Sequence, residues 1–124
     1  MLQTLRWRYK AIYSKRVSDH RREIYMLRTV KEIINKREKL NDEDDYGIEK
    51  CRNELIEILS QDEFLTIDIL NQLNEEEILY TSEVFEEIAY NLQSVNYIDC
   101  LQKINIKYPH LNLRDSIEVA MEYF

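Results

Sequence analysis

The sequence predicts an all-α protein, and three observations carry that prediction. Apolar residues recur at steps of three and four along nearly the whole chain, the spacing that gathers them on one side of a helix. One Gly and one Pro in 124 residues are too few for a sandwich or barrel, whose turns consume both. No stretch alternates apolar and polar residues between turn signals, so strands are not expected. The length suits a single compact domain over 1–124, burying roughly two-thirds of the unfolded chain's surface.

Each element follows from its own apolar stripe and its flanking polar residues. Leu2, Leu5, Tyr9, Ile12 and Tyr13 mark a first amphipathic helix ending near Arg16. Ser18 is placed to cap a second, with Asp19 near its positive end and Ile24, Leu27, Val30, Ile33 and Ile34 as its stripe to about Leu40. Asn41 to Asp45 is polar and reads as the main loop, its last Asp capping a third helix in which Ile48, Cys51, Leu55, Ile58 and Leu59 share a face.

Ser60 to Glu63 breaks that pattern, and Thr66 reads as the cap of a short fourth helix carrying Ile67, Ile69, Leu70 and Leu73. Asn74 and Glu77 have capping-box spacing, and Ile78, Phe85, Ile88, Ala89 and Leu92 form one long stripe behind them. Ser94 is the next break. Ile98, Leu101, Ile104 and Tyr108 make a helix that Pro109 terminates, and Asn112 caps a last one bearing Leu113, Ile117, Ala120, Met121 and Phe124. Six or seven helices with short connections fit a bundle or a HEAT-like helix-pair stack, although no strict internal repeat is present.

Composition excludes several function classes. One glycine cannot write a dinucleotide fingerprint or a P-loop, so no cofactor is expected. The longest stretch without charge is eleven residues, Ile88 to Ile98, far short of the ~20 a membrane span needs, and no secretory signal pattern opens the chain. Cys51 and Cys100 belong to no metal-ligand spacing and read as buried thiols of a reducing, cytoplasmic compartment. Asp42, Asp44 and Gly47 imitate the start of a calcium loop, but Tyr46 and Asn53 stand where ligands are required. Neither His20 nor His110 has the neighbours of a catalytic histidine, so an enzyme is not expected.

Charge is divided unevenly. The net charge of −7 conceals a basic segment over 1–40, with 12 basic and 4 acidic side chains, and an acidic helical region over 46–124; residues 41–124 balance at −15. Such a split suggests either a charged partner or pairing between the chain's own halves. In the basic segment Arg6, Trp7, Arg8, Lys10, Arg21 and Arg22 interleave charge with an aromatic ring, as in a nucleic-acid patch. In the acidic region Glu75, Glu76, Glu83, Glu86 and Glu87 sit among Tyr80, Tyr90 and Tyr97, a combination of carboxylates and aromatic anchors suited to a basic protein surface.

The phrases Ser82 to Ser94, Tyr97 to Leu101, Lys107 to Leu113 and Ile117 to Tyr123 carry a resemblance. Over Asn74 to Phe124 the chain resembles small all-helical immunity proteins of bacterial polymorphic or contact-dependent growth-inhibition toxin systems. That resemblance implies a cytoplasmic, non-enzymatic protein forming a 1:1 complex with its cognate toxin domain and occluding that domain's active site or substrate groove. Basic nucleases, EndoU-type ribonucleases among them, are the toxin class it implies. The toxin-binding candidates are then Glu75, Glu76, Tyr80, Glu83, Glu86, Glu87, Tyr90 and Tyr97. A small nucleic-acid-binding or regulatory protein using the basic N-terminal helices is the competing expectation. A structural subunit whose oppositely charged halves pair between protomers is a third.

Overall fold

The computed structural model describes the backbone of residues 2–124 and the side chains of residues 19–124. The chain is all-α: α1 (Leu2–Lys39), α2 (Asp45–Leu59), α3 (Glu63–Leu70), α4 (Glu75–Thr81), α5 (Phe85–Leu92), α6 (Val95–Lys107) and α7 (Arg114–Glu122), with 3-10 turns at Ser82–Val84 and Pro109–Leu111. α1 lies across α2, α3 and α4; α3 passes the contact on to α6; α5 and α6 both pack on α7. Many of these pairs are distant in sequence, the pattern of a bundle rather than of a stack in which each helix pair touches only its neighbours.

One core runs through the molecule. α1 contributes Val30, Ile33 and Ile34, α2 Leu55 and Leu59, α3 Ile69 and Leu70, and α5 Phe85 and Ile88. α6 and α7 close it with Tyr97, Leu101, Ile117 and Ala120. Tyr97 is the largest of the fully buried side chains, and its hydroxyl donates to the Phe85 carbonyl at 3.1 Å, so the one polar atom of that ring is satisfied. Cys51 and Cys100 are free and buried. Burial pushes both thiols up, Cys100 to about 11.

Several boundaries differ from the sequence expectation. The helices expected on either side of Ser18 are one continuous α1, because Val17 and Ser18 are weak helix formers but not breakers. Asp44, not Asp45, caps α2: its Oδ1 accepts from the Gly47 N–H at 2.9 Å. A Cβ at Gly47 would stand 2.7 Å from the Asp44 carboxylate, so a larger residue there would require that side chain to shift. Asp62, not Thr66, caps α3, accepting from Phe64 N and Leu65 N. Thr66 lies buried inside the helix and donates 2.6 Å to the Leu59 carbonyl at the end of α2.

The long stripe from Ile78 to Leu92 is divided at Ser82–Val84, which lets α4 face α1 while α5 faces α7. Asn112 does not cap α7; it is left-handed at φ 56° and ends the turn that Pro109 begins. The expected capping box at Asn74 and Glu77 is present in both directions, and Ser94 caps α6 by accepting from Tyr97 N at 3.0 Å.

Two substitutions of opposite sign test these ends. Asn74→Ala removes the acceptor for the Glu77 N–H and should cost about 1 kcal/mol in urea unfolding. Asn112→Gly relieves a left-handed backbone and should raise stability by about 0.5 kcal/mol in the same measurement.

Candidate functional site

The acidic residues fall into two groups once folded. The first group is held inside the molecule by α1 and α2. Lys31 of α1 pairs with Glu77 at 3.0 Å. Arg37 of α1 forks onto Glu83, with Nη2 to Oε1 at 2.9 Å and Nε to Oε2 at 3.2 Å, and Arg52 of α2 reaches the same carboxylate at 2.7 Å. The Arg37 guanidinium also sits 5.4 Å from the centre of the Tyr80 ring. Glu83 and Tyr80 are thereby taken up in a seam between α1, α2 and the α4–α5 joint.

Other expected residues are engaged as well. Glu75 contacts His110. Glu76 shares a hydrogen bond with Glu38 of α1, which together with the Glu38 charge lifts its carboxyl above the ordinary range. Tyr97 is fully buried, so the expectation that it anchors a partner fails: the 3.6-residue repeat of α6 directs it to the core. A groove of about 620 Å³ between α1 and α4 is lined by Arg28, Lys31, Glu32, Glu38, Glu76 and Tyr80 among others. Its charges are mixed, and it offers no surface of one sign.

The second group consists of Glu86, Glu87 and Tyr90, which line one cleft of about 380 Å³ together with Ile56, Asn91 and Tyr123. α5 presents the two glutamates in its first turn and Tyr90 one turn later, so the three share a neighbourhood on the helix surface. Tyr90 is 64% exposed and Tyr123 46%. Among the described residues no cation lies within ion-pairing distance of Glu86 or Glu87. Carboxylates therefore dominate the potential here, and the Tyr123 hydroxyl reports it: the charge of Glu86 and a hydrogen bond to it, with Glu122 and Glu87 adding, push that phenol up.

The backbone around the cleft is fixed by side-chain bonds. Gln93, left-handed at φ 48°, donates from Nε2 to the Tyr90 carbonyl at 3.0 Å and to the Tyr123 carbonyl at 2.7 Å. Asn91 donates to Ser60 Oγ at 3.0 Å, tying the same turn to the end of α2. Tyr123 and Gln93 were not among the sequence candidates. Their signal is tertiary, since only the packing of α5 on α7 brings residues 30 apart into one site.

Of the competing candidates, Arg21 and Arg22 are exposed, and Arg22 donates to Gln61. Arg6, Trp7, Arg8 and Lys10 lie outside the described side chains. Among the described residues no group of histidine, cysteine and carboxylate side chains is arranged to hold a metal ion, and Asp44 of the calcium-like loop serves as a helix cap. No helix of the described residues is long and apolar enough to cross a membrane. No protein-family model, curated protein or solved structure matches the chain.

Two measurements separate the groups. Glu83→Gln leaves the largely buried Arg37, and the more exposed Arg52 beside it, without a counter-charge and should lower stability by about 2 kcal/mol in urea unfolding. Glu86→Gln removes the negative charge that disfavours the Tyr123 phenolate, so the Tyr123 pKa should fall toward its ordinary value in a ¹³C NMR titration, with stability little changed.

Proposed function

We propose that the protein is an immunity-type inhibitor that binds a basic protein, in the first instance the nuclease domain of a cognate toxin, as a 1:1 complex. The observation that carries this reading is the cleft of Glu86, Glu87, Tyr90 and Tyr123. There carboxylates and exposed aromatic rings stand together with no cation paired to them among the described residues, while the acids of α4 and the α4–α5 joint are engaged by their own chain.

An aromatic and acidic patch of this kind suits docking in two ways. Tyrosine buries large area at small entropic cost, which concentrates binding energy in few residues. A field of one sign accelerates encounter with a basic partner and makes association salt-sensitive. Covering a nuclease's basic substrate groove with such a surface would block the groove through the same complementarity that attracts the nucleic-acid backbone. Glu87 and Tyr90 are assigned as contact residues, Glu83 as a structural one.

The test is protection of a naive host from the toxin-like domain encoded beside this gene. Wild-type protein should restore colony formation, and Glu87→Lys with Tyr90→Ala should abolish rescue while circular dichroism and melting stay near wild type. Loss of rescue by a Glu83→Lys variant is uninformative about contact, because that change places three cations together and weakens the fold itself. Full rescue by the folded double variant would remove the cleft from the interface. Failure of the soluble wild type against that toxin would overturn the pairing.

A further inference from the structure

We propose that the cleft between α2, α5 and α7 is a receptor for one arginine side chain, its guanidinium taken up against the exposed rings of Tyr90 and Tyr123 and paired with the carboxylates of Glu86 and Glu87. The inference rests on the reading of this surface as the docking face for a basic partner and names the chemistry by which the partner is held.

Three observations lead there. The cleft combines two aromatic rings with two carboxylates, and no basic residue lines it among the described residues. A guanidinium satisfies both elements at once, stacking on a ring and forking onto carboxylate oxygens, whereas an ammonium offers a point charge. The same constellation is already filled elsewhere in this chain: Arg37 lies 5.4 Å from the Tyr80 ring centre while bonding Glu83 through two nitrogens. Glu86, Glu87 and Tyr90 bring the same side-chain types together at the surface, with no described cation between them.

The site is also built in advance of any ligand. Gln93 bonds the carbonyls of both tyrosines, so the ends of α5 and α7 that carry them are tied to each other. Ile56 of α2 supplies a partly buried apolar wall against which an arginine's methylene stem can lie. A preformed cleft spares the ordering cost that loose side chains would bear on binding. Gln93 is thus a positioning residue for the site.

Titration of the full chain with acetyl-arginine-amide at low ionic strength, followed by ¹H–¹⁵N NMR, tests this without any toxin. Saturable shifts should centre on residues 86–93 and 121–124. The neutral isostere acetyl-citrulline-amide should produce none, and acetyl-lysine-amide weaker ones. Tyr90→Ala and Glu87→Gln should each weaken arginine binding about three- to tenfold. Gln93→Gly, which keeps the left-handed backbone but drops the bridge, should weaken it with the rest of the spectrum unchanged. Absent or unsaturable shifts, shifts spread over all the acidic helices, or affinity unaltered by Tyr90→Ala would overturn the proposal. Because no toxin enters the titration, a protein that takes up arginine yet fails to protect a host argues against the immunity reading alone.

Discussion

Burial of one stripe of α1 is the constraint on which the other helices depend. Met26, Val30, Ile33 and Ile34 are each at most 6% exposed, and they are covered by three different helices, α2, α3 and α4. Each fully buried aliphatic side chain contributes about 1.5–3 kcal/mol, so this stripe ties three short elements to one long one. α3 and α4, at eight and seven residues, are too short to be stable as isolated helices in water. Their existence follows from packing, with caps at Asp62 and Asn74 deciding where they begin.

Charge is arranged over that packing rather than beside it. The excess of cations on α1 and of carboxylates downstream could have meant two separate binding faces. Lys31 and Arg37 meet Glu77 and Glu83 across the α1–α4 contact, so part of that excess is neutralised within the chain along this seam. The half-buried fork of Arg37 on Glu83, with side chains 12% and 21% exposed, gives the helix contact a fixed register that apolar side chains alone would leave free to slide. Among the described residues no cation of α1 pairs with Glu86 or Glu87, and these two carboxylates share their cleft with exposed rings.

The all-α class and most elements could be read from the sequence because helical periodicity is a local signal repeated many times. The capping box at Asn74, the start of α6 at Ser94 and its end before Pro109 were legible for the same reason. The continuity of α1 and the division at Ser82–Val84 were not. A serine inside a helix and a serine before one look alike until the apolar stripe on either side is known to face the same neighbour. Thr66 illustrates the ambiguity: its hydroxyl finds the Leu59 carbonyl of another helix rather than its own helix start. At the site, Glu86, Glu87 and Tyr90 were visible as an acidic, aromatic run. The engagement of Glu83 and the arrival of Tyr123 depend on contacts between helices, which no local pattern encodes, whereas the burial of Tyr97 follows the helical spacing it shares with Leu101 and Ile104.

Burial of both native sulfurs has a practical consequence for chemical labelling. Alkylating and disulfide-exchange reagents attack the thiolate, and at neutral pH Cys51 and Cys100 are held as neutral, enclosed thiols. A cysteine introduced at an exposed position such as Asn91 would therefore outpace both. Because both native thiols are enclosed, a fluorophore or spin label can be placed on the rim of the cleft with neither native cysteine replaced, and distances to a captured partner can be read from there.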